Sequence, residues 1–193
     1  MANLEKIETH LETHGWTRKV AGDRDFTAAL LALGTAVDNG LGLIVSGNPG
    51  CGKTTLVEAI APAFGHFRRI NCNDREDVLK LTPSWQELWA ENLQEENVFL
   101  DDIGTDRPVY LDYVKTELVG DFLMKRADLY RYGHVRIGPE CRPAPLFFGT
   151  TNFDSKQFDE RYDGRIYSRL KHIAVPLHLT GDDKREWIKP ILK

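Results

Sequence analysis

Residues 41–60 constrain this chain more than any other stretch. The apolar run Leu43-Ile44-Val45 leads into Gly47-Asn48-Pro49-Gly50-Cys51-Gly52-Lys53-Thr54-Thr55, and Leu56-Val57-Glu58-Ala59-Ile60 continues with helical spacing. A buried strand, a glycine-rich turn and a helix, in that order, frame the phosphate-loop pattern Gly-x-x-x-x-Gly-Lys-Thr. Glycines without Cβ atoms let backbone N–H groups close around a phosphate chain. Lys53 offers a point charge to the β- and γ-phosphates, Thr54 offers its hydroxyl to Mg2+, and the helix that starts here adds its positive end. The whole segment Gly47, Asn48, Pro49, Gly50, Cys51, Gly52, Lys53, Thr54 and Thr55 is therefore expected to hold a nucleoside triphosphate.

A loop of this kind needs a sheet to carry it, and 193 residues suffice for one such domain. Lys and Arg total 25 against 29 Asp and Glu, so no global basic field holds nucleic acid and any such contact must be local. Cys51, Cys72 and Cys141 form no C-x-x-C pair and read as reduced thiols. The first residues lack an apolar signal core and no run is long enough to span a bilayer, so the expected location is cytoplasmic, without membrane contact.

Leu4, Ile7 and Leu11 predict an amphipathic helix over 4–14 that docks on its own domain or on a partner. Asp25 is expected to N-cap a second helix, ended by Asn39-Gly40. Residues 67–71 read as a strand, and 74–81 and 84–93 as helices broken at Thr82-Pro83. Trp85, Leu88 and Trp89 share a face of the second, as core or as a platform for bases. A third strand over 97–102 ends in Asp101-Asp102, and a helix is expected over 110–129 with Val114, Leu118, Val119, Phe122 and Leu123 on its apolar face. Residues 134–142 alternate around Gly138-Pro139 as a small hairpin, and strands follow over 145–152 and 173–179. The alternation implies an α/β fold in three layers, a parallel five-stranded sheet with helices on both faces.

Asp101 and Asp102 close an apolar strand, the end of an open α/β sheet at which ligands bind. Beside a phosphate loop, Asp101 serves the Mg2+ shell and Asp102 orients or deprotonates the attacking water; a helix N-cap explains Asp102 equally on local grounds. Asn152, ending the next strand, either holds the same water or caps the following turn. Arg165 and Arg169 stand four apart on a short helix, as solvated surface groups or as guanidiniums for a neighbouring subunit's phosphoryl group.

Taken in order, Gly47 to Thr54, Asp101-Asp102-Ile103-Gly104, Thr150-Thr151-Asn152 and Gly164-Arg165-Ile166-Tyr167-Ser168-Arg169-Leu170 resemble the AAA+ ATPases. Within them the set is most similar to the DnaC/DnaI-type helicase loaders and the related IstB transposition helpers. The resemblance covers roughly residues 41–181 and includes Leu179-Thr180-Gly181 with basic Lys184-Arg185. It implies a RecA-like core binding ATP and Mg2+. Lys53 and Thr54 become the Walker A pair, Asp101 and Asp102 the Walker B pair, Asn152 sensor 1, and Arg169 an arginine finger given in trans. Catalysis falls to Lys53, Asp102, Asn152 and Arg169, and the metal to Thr54 and Asp101. The family works as nucleotide-gated homo-oligomers on single-stranded DNA and a replicative helicase. Residues 1–40 are then a helical extension packed on the core and 41–193 the ATPase domain, with no C-terminal helical lid after Arg169. The 134–142 hairpin lies where superfamily-3 viral helicases carry a DNA-contacting hairpin, which keeps open a viral or mobile-element motor and gives His134, Arg136 and Arg142 phosphates to meet. Asp102 is one methylene shorter than the glutamate of faster AAA+ motors, which implies slow hydrolysis.

Overall fold

The computed structural model describes residues 4–81, 96–111, 113–130, 134–137, 140–162 and 164–183. Its central sheet has five strands: β1 (Gly42–Gly47), β2 (Arg68–Asn71), β3 (Val98–Ile103), β8 (Phe147–Thr151) and β9 (Ala174–Leu179). They run parallel in the order β2-β3-β8-β1-β9. Two short antiparallel pairs stand apart from it, β4 (Val109–Leu111) with β5 (Val114–Thr116) and β6 (His134–Ile137) with β7 (Glu140–Pro143).

Side chains alternate across a strand, and β1 divides accordingly. Leu43 and Val45 join Phe99 and Phe148 beneath α1 (Leu4–Thr13), α3 (Asp23–Asn39) and α4 (Lys53–Ile60). Ile44 joins Leu100 and Phe147 on the opposite face, covered by α5 (Arg75–Leu79), α6 (Leu118–Leu129), α7 (Ser155–Arg161) and α8 (Arg165–Leu170). The first helix docks on its own chain, with Leu11 fully buried in the same cluster as Leu33 and Leu56.

Sheet order sets up the site. β8 lies between β1 and β3, so the phosphate loop after β1 and the acids ending β3 flank the polar end Thr150-Thr151-Asn152. At the base of the same strands Arg126 of α6 is fully buried and donates to the carbonyls of Glu96, Pro145 and Leu146, at 2.7, 3.1 and 3.2 Å. Burial lowers its pKa to about 10.

Two sequence expectations fail. Asp25 does not cap α3, which begins at Asp23 after Gly22, while a short α2 (Arg18–Ala21), capped by Thr17, precedes it. The Asp25 carboxylate is buried and instead accepts from Thr180 N, Thr180 Oγ1 and Gly181 N, the last two at 2.9 Å. The helix expected over 110–129 starts only at Leu118, because Val109–Leu111 and Val114–Thr116 pair as β4 and β5. Valine, tyrosine and threonine favour the pleated form there, and Tyr113 turns the chain at φ 67. The helix expected over 74–81 shortens to α5, with Asp74 accepting from Glu76 N and Asp77 N as its cap. The 134–142 hairpin is present as β6–β7, with Val135 opposite Arg142. Trp85, Leu88 and Trp89 lie outside the described residues.

Candidate nucleotide site

Between β1 and α4 the chain turns through Gly50 at φ 80 and Gly52 at φ 97, conformations that L side chains rarely adopt. At Gly47 a Cβ would stand 2.5 Å from the carbonyl oxygen of Leu179, so the loop presses against the end of β9. At Gly50 a Cβ would collide with the carboxylate of Asp183.

Lys53 is 5% exposed, and its ammonium donates to Gly47 O at 2.9 Å, Asn48 O at 2.8 Å and Asn152 Oδ1 at 2.8 Å. A buried ammonium is tolerable only when its protons are bonded, and here two bonds go to the loop and one crosses to the residue after β8. Asp101, also 5% exposed, accepts on Oδ1 from Thr54 Oγ1 at 2.9 Å and from Thr150 Oγ1 at 2.6 Å. Thr54 and Asp101 thus place two hard oxygen ligands side by side. Among the described residues no cluster of three or more His, Cys, Asp and Glu side chains is poised for a metal. Mg2+ takes one or two protein ligands together with phosphate oxygens, and Thr54 and Asp101 fit it.

Asp102 sits at φ 58, and the β3–β8 register shifts between Leu100 and Ile103. Bulges of this kind re-aim side chains beside functional sites. The Asp102 N–H donates to Thr150 Oγ1 at 2.9 Å, so one fully buried hydroxyl joins both acids to β8. Thr151 repeats the arrangement lower down, donating to Ile103 O at 2.7 Å.

Several residues the motif reading missed complete the surroundings. Arg69 of β2 pairs with Asp101 Oδ2, bonds Glu58 Oε1 at 2.5 Å and lies 5.3 Å from the Phe99 ring centroid. Burial pulls its pKa down, but the bonds and charges of Asp101 and Glu58 outweigh that and leave it raised. Beyond β3, buried Asp106 accepts from Arg161 Nη2 at 3.0 Å and from the Tyr162 hydroxyl, while Arg161 Nη1 reaches Glu117 at 2.7 Å. Burial raises the Asp106 pKa against the opposing pull of Tyr162 and Arg161. No local pattern announces these pairs; the signal in Arg68-Arg69 was only that of a polar strand.

Of the expected site residues, Lys53, Thr54, Asp101, Asp102 and Asn152 meet at one end of the sheet. Arg169 does not join them: it ion-pairs with Asp128 of α6 on its own chain, and Arg165 is exposed. These elements make a P-loop NTPase fold of AAA-like architecture.

The family described as "ATPase family associated with various cellular activities (AAA)" matches residues 43–107, from β1 through the phosphate loop to just past the paired acids. Among solved structures, NtrX from Brucella abortus in complex with ATP is similar over 91% of this chain and 42% of its own, with a TM-score of 0.55 and 13% identity. NtrX in complex with ADP gives a TM-score of 0.50 and 16% identity over the same shares. The chain thus spans less than half of the NtrX structures, and at these identities the likeness is one of fold. No curated protein sequence matches the chain. Among the described residues no helix is long and apolar enough to cross a membrane.

Proposed function

We propose that this chain binds ATP with Mg2+ and hydrolyses it, working in the cytoplasm as a nucleotide-gated homo-oligomer that serves a replicative helicase on single-stranded DNA. The observation that carries the enzymatic part is the 2.8 Å bond from Lys53 Nζ to Asn152 Oδ1, which joins the phosphate loop to the strand bonded to both acids. Lys53 and the loop N–H groups hold the phosphates, Asn152 orients the attacking water, and Asp102 takes its proton. Mg2+ bound with nucleotide supplies charge neutralisation, and Thr54 and Asp101 are the side chains that hold it.

Arg169 is the finger offered to a neighbouring subunit. Its present partner supports this use, because the Arg169 and Asp128 side chains are 29% and 48% exposed. A pair this open to solvent on the Asp128 side contributes about 1 kcal/mol, so Asp128 can be exchanged for phosphoryl oxygens. Residues 1–40 act as an extension of the 41–193 ATPase unit. The helicase-loading role rests on the DnaC/DnaI resemblance.

Steady-state ATP hydrolysis measured against protein concentration tests the assembly. The specific rate is expected to climb with concentration and to collapse in Arg169→Ala; a rate indifferent to both refutes a shared site. Pull-down with a replicative helicase tests the partner, and capture of a transposase instead moves the chain to the IstB-like role. The β6–β7 hairpin directly before β8 favours one other reading, a superfamily-3-like motor. Strand displacement by the chain without any separate helicase would establish that reading.

A further inference from the structure

Past the ends of β2 and β3 a cleft of about 430 Å3 opens between α5 and β4, over buried Cys72 and Val78. Its rim carries Arg75, Arg107, Asn73, Thr105 and Tyr110. Of the nearby acids, Asp74 caps α5, Asp77 pairs with Lys80, Asp106 with Arg161, and Glu117 with Arg161 and Lys115, while Glu76 is exposed beside Arg75. Arg75 and Arg107 are exposed and, among the described residues, make no ion pair or hydrogen bond. Tyr110 lines the cleft with them, and Tyr113 follows at the turn of the same hairpin. Tyr110 is 73% exposed, and Tyr113, at the β4–β5 turn, is fully exposed in a left-handed conformation that a bulky residue adopts only at a cost.

The ligand that answers this arrangement alternates negative charge with flat faces. An acidic peptide satisfies the guanidiniums and leaves the rings in water. Duplex DNA keeps its base faces stacked on one another and offers the rings nothing. A single strand presents phosphates to arginines and unstacked bases to aromatic rings, the two interactions on which sequence-tolerant strand binding rests. We propose that the cleft and the β4–β5 hairpin bind single-stranded nucleic acid, with Arg75 and Arg107 on successive phosphates and Tyr110 and Tyr113 against bases. This rests on the single-strand part of the reading above and on neither ATP turnover nor β6–β7. The strand would lie close to the hydrolytic acids, since Cys72 N, in the wall of the cleft, donates to Asp101 O at 2.8 Å.

Fluorescence anisotropy of a labelled oligothymidylate, titrated at several salt concentrations, tests it. Arg75→Ala with Arg107→Ala is expected to weaken binding about ten-fold or more and to flatten the salt slope by about 1.4, the share of two phosphate contacts. Tyr110→Ala with Tyr113→Ala is expected to weaken it about five-fold or more at an unchanged slope. Circular dichroism and binding of a fluorescent ATP analogue should match the parent in both. If the parent binds and both variants bind equally well, the cleft is not the site, though the single-strand reading survives. If the parent binds no oligothymidylate at low salt, both fall. Equal binding of duplex or of polyglutamate, lost in the same variants, overturns the assignment to a single strand.

Discussion

Thr150→Val removes one oxygen and almost no volume, which makes it a clean probe of the joint between the acids and β8. The hydroxyl donates to Asp101 Oδ1 at 2.6 Å, accepts from Asp102 N at 2.9 Å and is fully buried. The first bond is charge-assisted and worth about 1.5–3 kcal/mol; losing the second leaves the Asp102 N–H without this acceptor, at about 1 kcal/mol. Valine fills the space, so no cavity cost arises, and the expected loss of stability is about 2.5–4 kcal/mol. Asp101 keeps Thr54 and Arg69, so the variant should still fold. Urea unfolding without nucleotide gives the difference, read from the midpoint at constant slope. A double-mutant cycle with Asp101→Asn should return a coupling of about 1 kcal/mol or more. Nucleotide affinity should change little, while Mg2+-dependent hydrolysis falls as Asp102 loses its anchor. An unchanged urea midpoint, or fully additive single variants, would refute the bridging role.

Cys72 is 1% exposed, and burial, reinforced by the charges of Asp106, Asp101, Asp102 and Asp77, pushes its thiol pKa well above the ordinary value. An acid so shifted stays neutral as pH rises, so iodoacetamide labelling of Cys72, followed by peptide mass spectrometry, should remain slow through pH 9 and become fast only in urea; rapid native labelling at pH 8 contradicts the burial. Arg126→Ala strips a donor from three carbonyls at the base of β3 and β8 and opens a cavity, and should cost about 3–5 kcal/mol in thermal or urea unfolding. A loss below about 1 kcal/mol would mean that water replaces the guanidinium. Asp183 lies against Gly50 of the phosphate loop, so Asp183→Asn should tighten ATP binding by about two- to ten-fold, more at low salt, as a nearby like charge is removed. Calorimetric titration showing weaker binding would make Asp183 a support of the loop instead.

Buried parallel strands announce themselves because both faces are covered and the sequence runs apolar until a polar end. β1, β3 and β8 are of this kind; Asp101, Asp102 and Asn152 were legible at the ends of β3 and β8, and Lys53 in the glycine-rich turn that follows β1. The β4–β5 hairpin was not, because Val114 and Leu118 stand four apart and satisfy a helical period by coincidence while Tyr113 breaks the chain between two short strands. Asp25 preceded an apolar helical stretch and looked like a cap; its true partners lie 155 and 156 residues away, beyond any local pattern. Arg69 with Asp101 and Arg161 with Asp106 are separated by 32 and 55 positions, and such pairs exist only once the sheet order is known.

The Asp25 clasp also has a bearing on how the molecule is made. Its two oxygens hold the peptide just past β9, the last strand of the sheet, from the start of a helix synthesised long before. Contacts of such sequence separation require a large loop to close and so form late. Until β9 lies beside β1, the Asp25 carboxylate lacks these donors. Completion of the sheet thereby reaches the amino-terminal helices through the Asp25 carboxylate as well as through the packing of Leu177 and Leu179.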